Sequence, residues 1–99
     1  KASIRSELLL PRIALIDPDL GIDLPPHVTA ASGMDALCQC IEAYVSKNAN
    51  PMTDAIAIKG VELASQHLRR AFDNGHDLRA REAMAQSAKQ ATGKQAREL

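Results

Sequence analysis

Aromatic side chains are almost missing from this 99-residue chain: Tyr44 and Phe72 are the only two, and there is no tryptophan. A core of stacked rings is excluded, as is an aromatic platform for single-stranded nucleic acid. Any core must come from alanine and aliphatic residues. Net charge is absent too, since twelve basic and twelve acidic residues cancel, so no long-range field draws the chain to nucleic acid or to an anionic membrane. Near the end, Lys89, Lys94 and Arg97 are interspersed with Gln, Ala and Thr, without an aromatic residue, and are too sparse for a nucleic-acid face. The five glycines are scattered, so the clustered loop that cradles a phosphate is missing. No apolar run approaches the roughly 20 residues of a membrane-crossing helix, and no charged-then-apolar leader opens the sequence. The expectation is a soluble cytoplasmic protein. Cysteine is limited to Cys38 and Cys40. Two residues apart on a helix, they face nearly opposite ways and cannot pair. Both are expected to be small buried apolar residues in a reducing compartment.

At this length the chain is one domain at most, with a modest core. From Leu8 to Asp17 an almost continuous apolar run, LLLPRIALID, has the pattern of a strand covered on both faces. Pro18 and Gly21 end it in a turn. No second strand is legible, so its backbone groups lack partners within the chain. After the turn signal at Leu24–Pro26 everything reads as helix. The first stretch runs from Pro26 to about Ser46, either whole or broken at Ser32–Gly33, because glycine costs about 1 kcal/mol inside a helix. Met34, Leu37, Ile41, Tyr44 and Val45 form its amphipathic stripe, with Asp35, Gln39 and Glu42 on the other side. The second helix starts at Asn50 as cap and Pro51 as first residue, with Asp54 in the first turn, and runs to Phe72. Gly75 is placed for a left-handed C-cap. A third helix starts at Asp77 and runs to Gly93, with Leu78, Met84, Ala85, Ala88 and Ala91 on a mostly alanine face that needs neighbours.

The octapeptide GMDALCQC, Gly33 to Cys40, carries the candidate chemistry. Asp35 and Gln39 lie one helical turn apart on one face, the spacing of a two-ligand metal clamp. The alternative is a solvated helix side, to which Glu42 also belongs. His27, His67 and His76 read as surface residues without a catalytic partner, and Ser32 has no neighbouring base.

The segments PRIALIDPDL and LPPHVTAASGMDALCQCIEAYVSKNANPMTDAIA closely resemble the iron-containing (group III) alcohol dehydrogenase family, where its nucleotide-binding domain meets its helical metal-binding domain. The likeness covers residues 1–85, with TAASGMDAL, IEAYVS and NPMTDA as its specific parts, and fades beyond Ala85. It implies a mostly α fold: a helical segment of a dehydroquinate-synthase-like, iron alcohol dehydrogenase C-terminal domain, with one N-terminal β-strand lacking in-chain partners. Residues 1–24 would be a strand and linker from the edge of the nucleotide-binding domain, 25–93 a segment of the helical domain, and 94–99 a frayed tail. In such dehydrogenases an aspartate, a histidine four residues later and two more distant histidines hold a divalent iron or zinc ion. The resemblance places the aspartate at Asp35 and the first histidine at Gln39, while the distant pair has no counterpart here. Lys1 matches a lysine that contacts the NAD(P) cofactor in relatives.

The implied function is that of a segment of an NAD(P)-dependent alcohol dehydrogenase, moving hydride between an alcohol or carbonyl and nicotinamide and inactive alone. Its partners would be the remainder of the dehydrogenase chain, or further copies of itself, and a small alcohol or aldehyde substrate. The rival reading is a non-enzymatic helical oligomer that reuses a dehydrogenase segment for packing. A third is a degenerate or frame-altered product, because the family likeness ends abruptly.

Overall fold

The computed structural model describes residues 4 and 6–97, with side chains as far as Ala91. Three helices dominate: α1 (Pro26–Val45), α2 (Pro51–Asp73) and α3 (Leu78–Arg97). The mostly α architecture is the expected one. Each helix packs on both others, with α2 making the most extensive contacts.

Local chemistry sets the helix starts. At α2 the Asn50 Oδ1 accepts from the backbone N–H of Met52 at 3.1 Å and of Thr53 at 3.0 Å. Thr53 Oγ1 returns the favour to the Asn50 N–H at 2.9 Å, which completes a capping box around Pro51. Such a cap contributes about 1 kcal/mol. At α3, Asp77 Oδ1 accepts from the Ala80 N–H at 3.1 Å, and its Oδ2 accepts from Arg70 Nη2 at 2.9 Å and Nε at 3.1 Å. The Ala80 N–H first, and Arg70 after it, hold the Asp77 carboxyl below its ordinary range.

Five expectations need correction. The apolar run from Leu8 to Asp17 forms no strand: Glu7–Leu9 make one 3-10 turn, and residues 10–17 carry no regular structure. Among the described residues no second strand exists to complete a ladder, and an extended segment without partners gains no pairing energy. Ile13 and Leu15 are 82% and 91% exposed. Gly75 is not a left-handed cap, since no described glycine has positive φ. The α2 C-cap is Asn74, in an extended conformation, with its N–H on the Arg70 carbonyl at 2.9 Å. Glycine suits position 75 because a Cβ there would stand 2.9 Å from Arg81 Nη2. Third, α3 passes through Gly93 to Arg97; flanking Ala, Gln, Lys and Arg are good helix formers and outweigh one glycine.

The fourth correction concerns the core. The α1 stripe of large apolar residues stays open, with Met34, Ile41 and Tyr44 about half-exposed and Val45 more so. The face of α1 that packs is the one with Thr29, Gly33, Ala36 and Cys40. It meets Ala57, Gly60 and Ala64 of α2, and Ala80, Ala83 and Ser87 of α3. On α3, Leu78 and Ala88 are exposed. Small residues win the inner face because they let helix backbones approach closely. Helix α1 runs unbroken through Gly33, where the tips of Leu68 and Met84 fill the space a Cβ would take.

At the centre, one residue from each helix meets. Ser87 Oγ donates to the Gly60 carbonyl at 2.8 Å, and the Cys40 thiol donates to the Ser87 carbonyl at 3.7 Å. Burial pushes the Cys40 thiol up, against a smaller lowering by Ser87. Cys38, expected inside, is exposed. A thiol reagent under native conditions is expected to label Cys38 quickly and Cys40 only on opening of the bundle, because the thiolate is the reacting form. Mass-spectrometric mapping of the labelled peptide checks this, and equal rates at the two cysteines would contradict the packing.

Candidate functional site

Asp35 and Gln39 project from the middle of α1, and the structure does bring them together. Gln39 Nε2 donates to Asp35 Oδ2 at 2.7 Å. Asp35 is exposed and Gln39 half-buried, while Glu42, two turns beyond Asp35, is exposed. Neither Asp35 nor Gln39 makes another side-chain hydrogen bond among the described residues.

A protein-held iron or zinc ion needs three or four donors, with imidazole or thiolate favoured. Here one carboxylate and one neutral amide stand together, and they are bonded to each other. Among the described residues no three histidine, cysteine, aspartate or glutamate side chains converge to hold a metal. Cys38 is exposed. His27 and His76 are exposed, and His67 Nδ1 lies 3.4 Å from Arg70 Nη1. The residues present therefore do not by themselves fit the divalent ion. Lys1 lies outside the described residues.

Sequence reasoning missed Arg81. Its side chain is buried on α3, at 7% exposure. Nε donates to the Gly75 carbonyl at 3.0 Å, Nη1 to Thr29 Oγ1 at 2.6 Å and Nη2 to the Leu24 carbonyl at 3.1 Å. One guanidinium thus ties the linker, the first turn of α1 and the α2–α3 loop to α3. It also lines a cleft of about 200 Å³ shared with Asp17, Ser32, Gly33 and Ala36. An arginine among alanines carries no periodic signal of burial, so nothing in the pattern could have found it. Asp54 was read as a first-turn carboxylate, and α2 places it there. Its Oδ1 is buried without a hydrogen-bond partner among the described residues.

Comparison with known proteins gives a consistent result. The family described as "Fe-containing alcohol dehydrogenase family, C-terminal" matches residues 29–95. Choline dehydrogenase of Bacillus subtilis (strain 168) is 48% identical over 81 residues, covering 82% of this chain and 20% of that protein. Alcohol dehydrogenase 4 of Schizosaccharomyces pombe is 49% identical over 85 residues, 86% of this chain and 20% of its own length. NAD-dependent methanol dehydrogenase of Bacillus methanolicus is 47% identical over 85 residues, 86% of this chain and 22% of its length. The chain spans about a fifth of the length of these relatives.

Proposed function

This chain belongs to the Fe-containing alcohol dehydrogenase family, and from that premise we propose that it forms part of the helical domain of an NAD(P)-dependent alcohol dehydrogenase. The observation that carries the reading is the family match over all three helices. In this reading residues 1–24 lie at the edge of the nucleotide-binding domain, where Lys1 contacts the cofactor, and 25–93 belong to the helical domain. Asp35 and Gln39 occupy the positions of the family's first two metal ligands. The substrate is a small alcohol or the matching aldehyde or ketone.

The distribution of apolar surface supports it. Ile13, Leu15, Met34, Ile41, Tyr44 and Val45 are all at least 45% exposed, and an exposed apolar surface of this kind marks a face that another unit covers. The rest of a dehydrogenase supplies that cover, both over the stripe on α1 and beside the extended segment at residues 10–17. No helix among the described residues is long and apolar enough to cross a membrane. Unpaired Cys38 and Cys40 suit the reducing cytoplasm, which is the proposed location. Neither a phosphate loop nor a complete ligand set is found in this stretch, so no catalytic step is assigned to it alone.

The test is a fluorescence titration with reduced nicotinamide dinucleotide on the polypeptide that carries this segment together with a nucleotide-binding domain, followed by an assay of cofactor reduction with short alcohols. Saturable binding and alcohol-dependent reduction are expected. A polypeptide that binds neither NADH nor NADPH and oxidises no alcohol would overturn the reading.

A further inference from the structure

Two open hollows of about 470 and 450 Å³ lie in line between α1 and α2, and no described residue of α3 borders either of them. Their α1 wall is Ala30, Met34, Leu37, Ile41 and Tyr44, positions that advance by alternating steps of four and three. Their α2 wall is Ile58, Val61, Ser65, Leu68 and Phe72, which advance by alternating steps of three and four. Such a repeat is the seam by which one helix packs along another at a shallow crossing angle. An extended peptide has a period of two and would match neither wall. The seam is distinct from the small-residue faces of α1 and α2 that meet α3. Met34, Ile41, Tyr44, Ile58 and Phe72 are 44–52% exposed, so it is formed but uncovered among the described residues.

We propose that this groove seats one further helix of the same polypeptide: an amphipathic segment of about four turns with apolar residues at three- and four-residue spacing. The inference rests on the alcohol dehydrogenase reading above, in which the remainder of that protein supplies the helix. Charge on the rim sets its direction. Glu62 borders the hollow at Tyr44 and Ile58, and Arg69, seven residues later on the same rim, borders the one at Met34 and Phe72. Glu62 also pairs with Lys59 at 3.0 Å. Opposite charges at equivalent flanking positions select one orientation of the incoming helix, with a basic side chain beside Glu62 and an acidic one beside Arg69. A second copy of the chain fits less well. Its matching face is also a groove, and two grooves set face to face leave a channel, whereas a single helix fills the hollow to the density of a protein interior.

The experiment uses the dehydrogenase that carries this segment, with the photo-crosslinker p-benzoylphenylalanine in place of Phe72 in one variant and of Ile58 in another. Illumination is expected to give crosslinks within one polypeptide, at unchanged mass on a denaturing gel. Peptide mapping should place both on a single segment outside these 99 residues, with the heptad spacing and charges stated above. Ser65→Trp, in the middle of the seam, supplies a second reading. Its bulk is tolerated on an open surface but overpacks a filled groove, so the melting temperature should fall by several degrees. Crosslinks at doubled mass, crosslinks to a segment without the spacing, or an unchanged melting temperature for Ser65→Trp would each overturn the inference. All three leave the dehydrogenase reading intact if the unmodified protein binds NADH or NADPH and oxidises alcohols. Failure of the unmodified protein in both assays would defeat that reading, and this inference with it.

Discussion

Replacing Arg81 by methionine is expected to destabilise the bundle by about 2–4 kcal/mol, because it removes three charge-assisted hydrogen bonds from a buried position and strands their acceptors. The stranded groups are the carbonyls of Leu24 and Gly75 and the hydroxyl of Thr29. A partial offset comes from no longer burying a guanidinium that lacks a carboxylate within ion-pair distance among the described residues. The net loss corresponds to a fall in melting temperature on the order of 10–20 °C for a domain of this size. Arg81→Lys should restore little of it, since one ammonium cannot reach acceptors on three separate segments in place of the planar fork. Thermal unfolding of the three proteins checks this, and a wild-type melting temperature for Arg81→Met would show the tether to be idle.

The second large effect is expected at Gly60. A Cβ there would collide with Cys40 Sγ and would stand 3.2 Å from Gln90 Cβ and 3.4 Å from Cys40 Cβ. Gly60→Ala should cost about 1–3 kcal/mol through overpacking, set against the roughly 1 kcal/mol that alanine gains inside a helix. The valine variant should be worse. Cys40→Ala removes the colliding sulfur, so the Gly60→Ala/Cys40→Ala pair should be less destabilised than the sum of its singles by about 1 kcal/mol. Denaturant unfolding of all four proteins closes the cycle, and simple additivity would contradict the close approach of α1 and α2. Gly33→Ala should be milder, because the obstructing atoms are the tips of Leu68 and Met84. Leu68 borders an open groove with Met34 and Phe72, Met84 borders the cleft beside Ser32 and Ala36, and both can swing aside.

The caps were legible because their partners lie within three residues in the chain. Asn50, Pro51 and Thr53 form the α2 start from their own side chains, and Asp77 does the same for α3. The Asp35–Gln39 juxtaposition was legible for a similar reason, since helical geometry alone puts i and i+4 together. Which atom of the amide faces the carboxylate was not legible; the structure turns Nε2 onto Asp35 Oδ2. The amphipathic stripe that includes Met34, Ile41, Tyr44 and Val45 was legible as a periodicity, but it is not the face that packs within these three helices. Period shows that a face is apolar, and the element that covers it need not be in the same stretch of chain.

The amino-acid sequence by itself determined what short-range forces control: three helices with their starts, the carboxylate and amide on one face, and motifs specific enough to mark the family. Only the tertiary structure decided which helix faces meet. Three rows of small residues let backbones approach more closely than large side chains permit, and this rotated the bigger apolar residues outward. Tertiary packing also drew Arg81 into the interior, where acceptors far away in the chain converge on one guanidinium. Its acceptors on Leu24 and Thr29 lie more than fifty residues away in the chain, so no local pattern around position 81 records them.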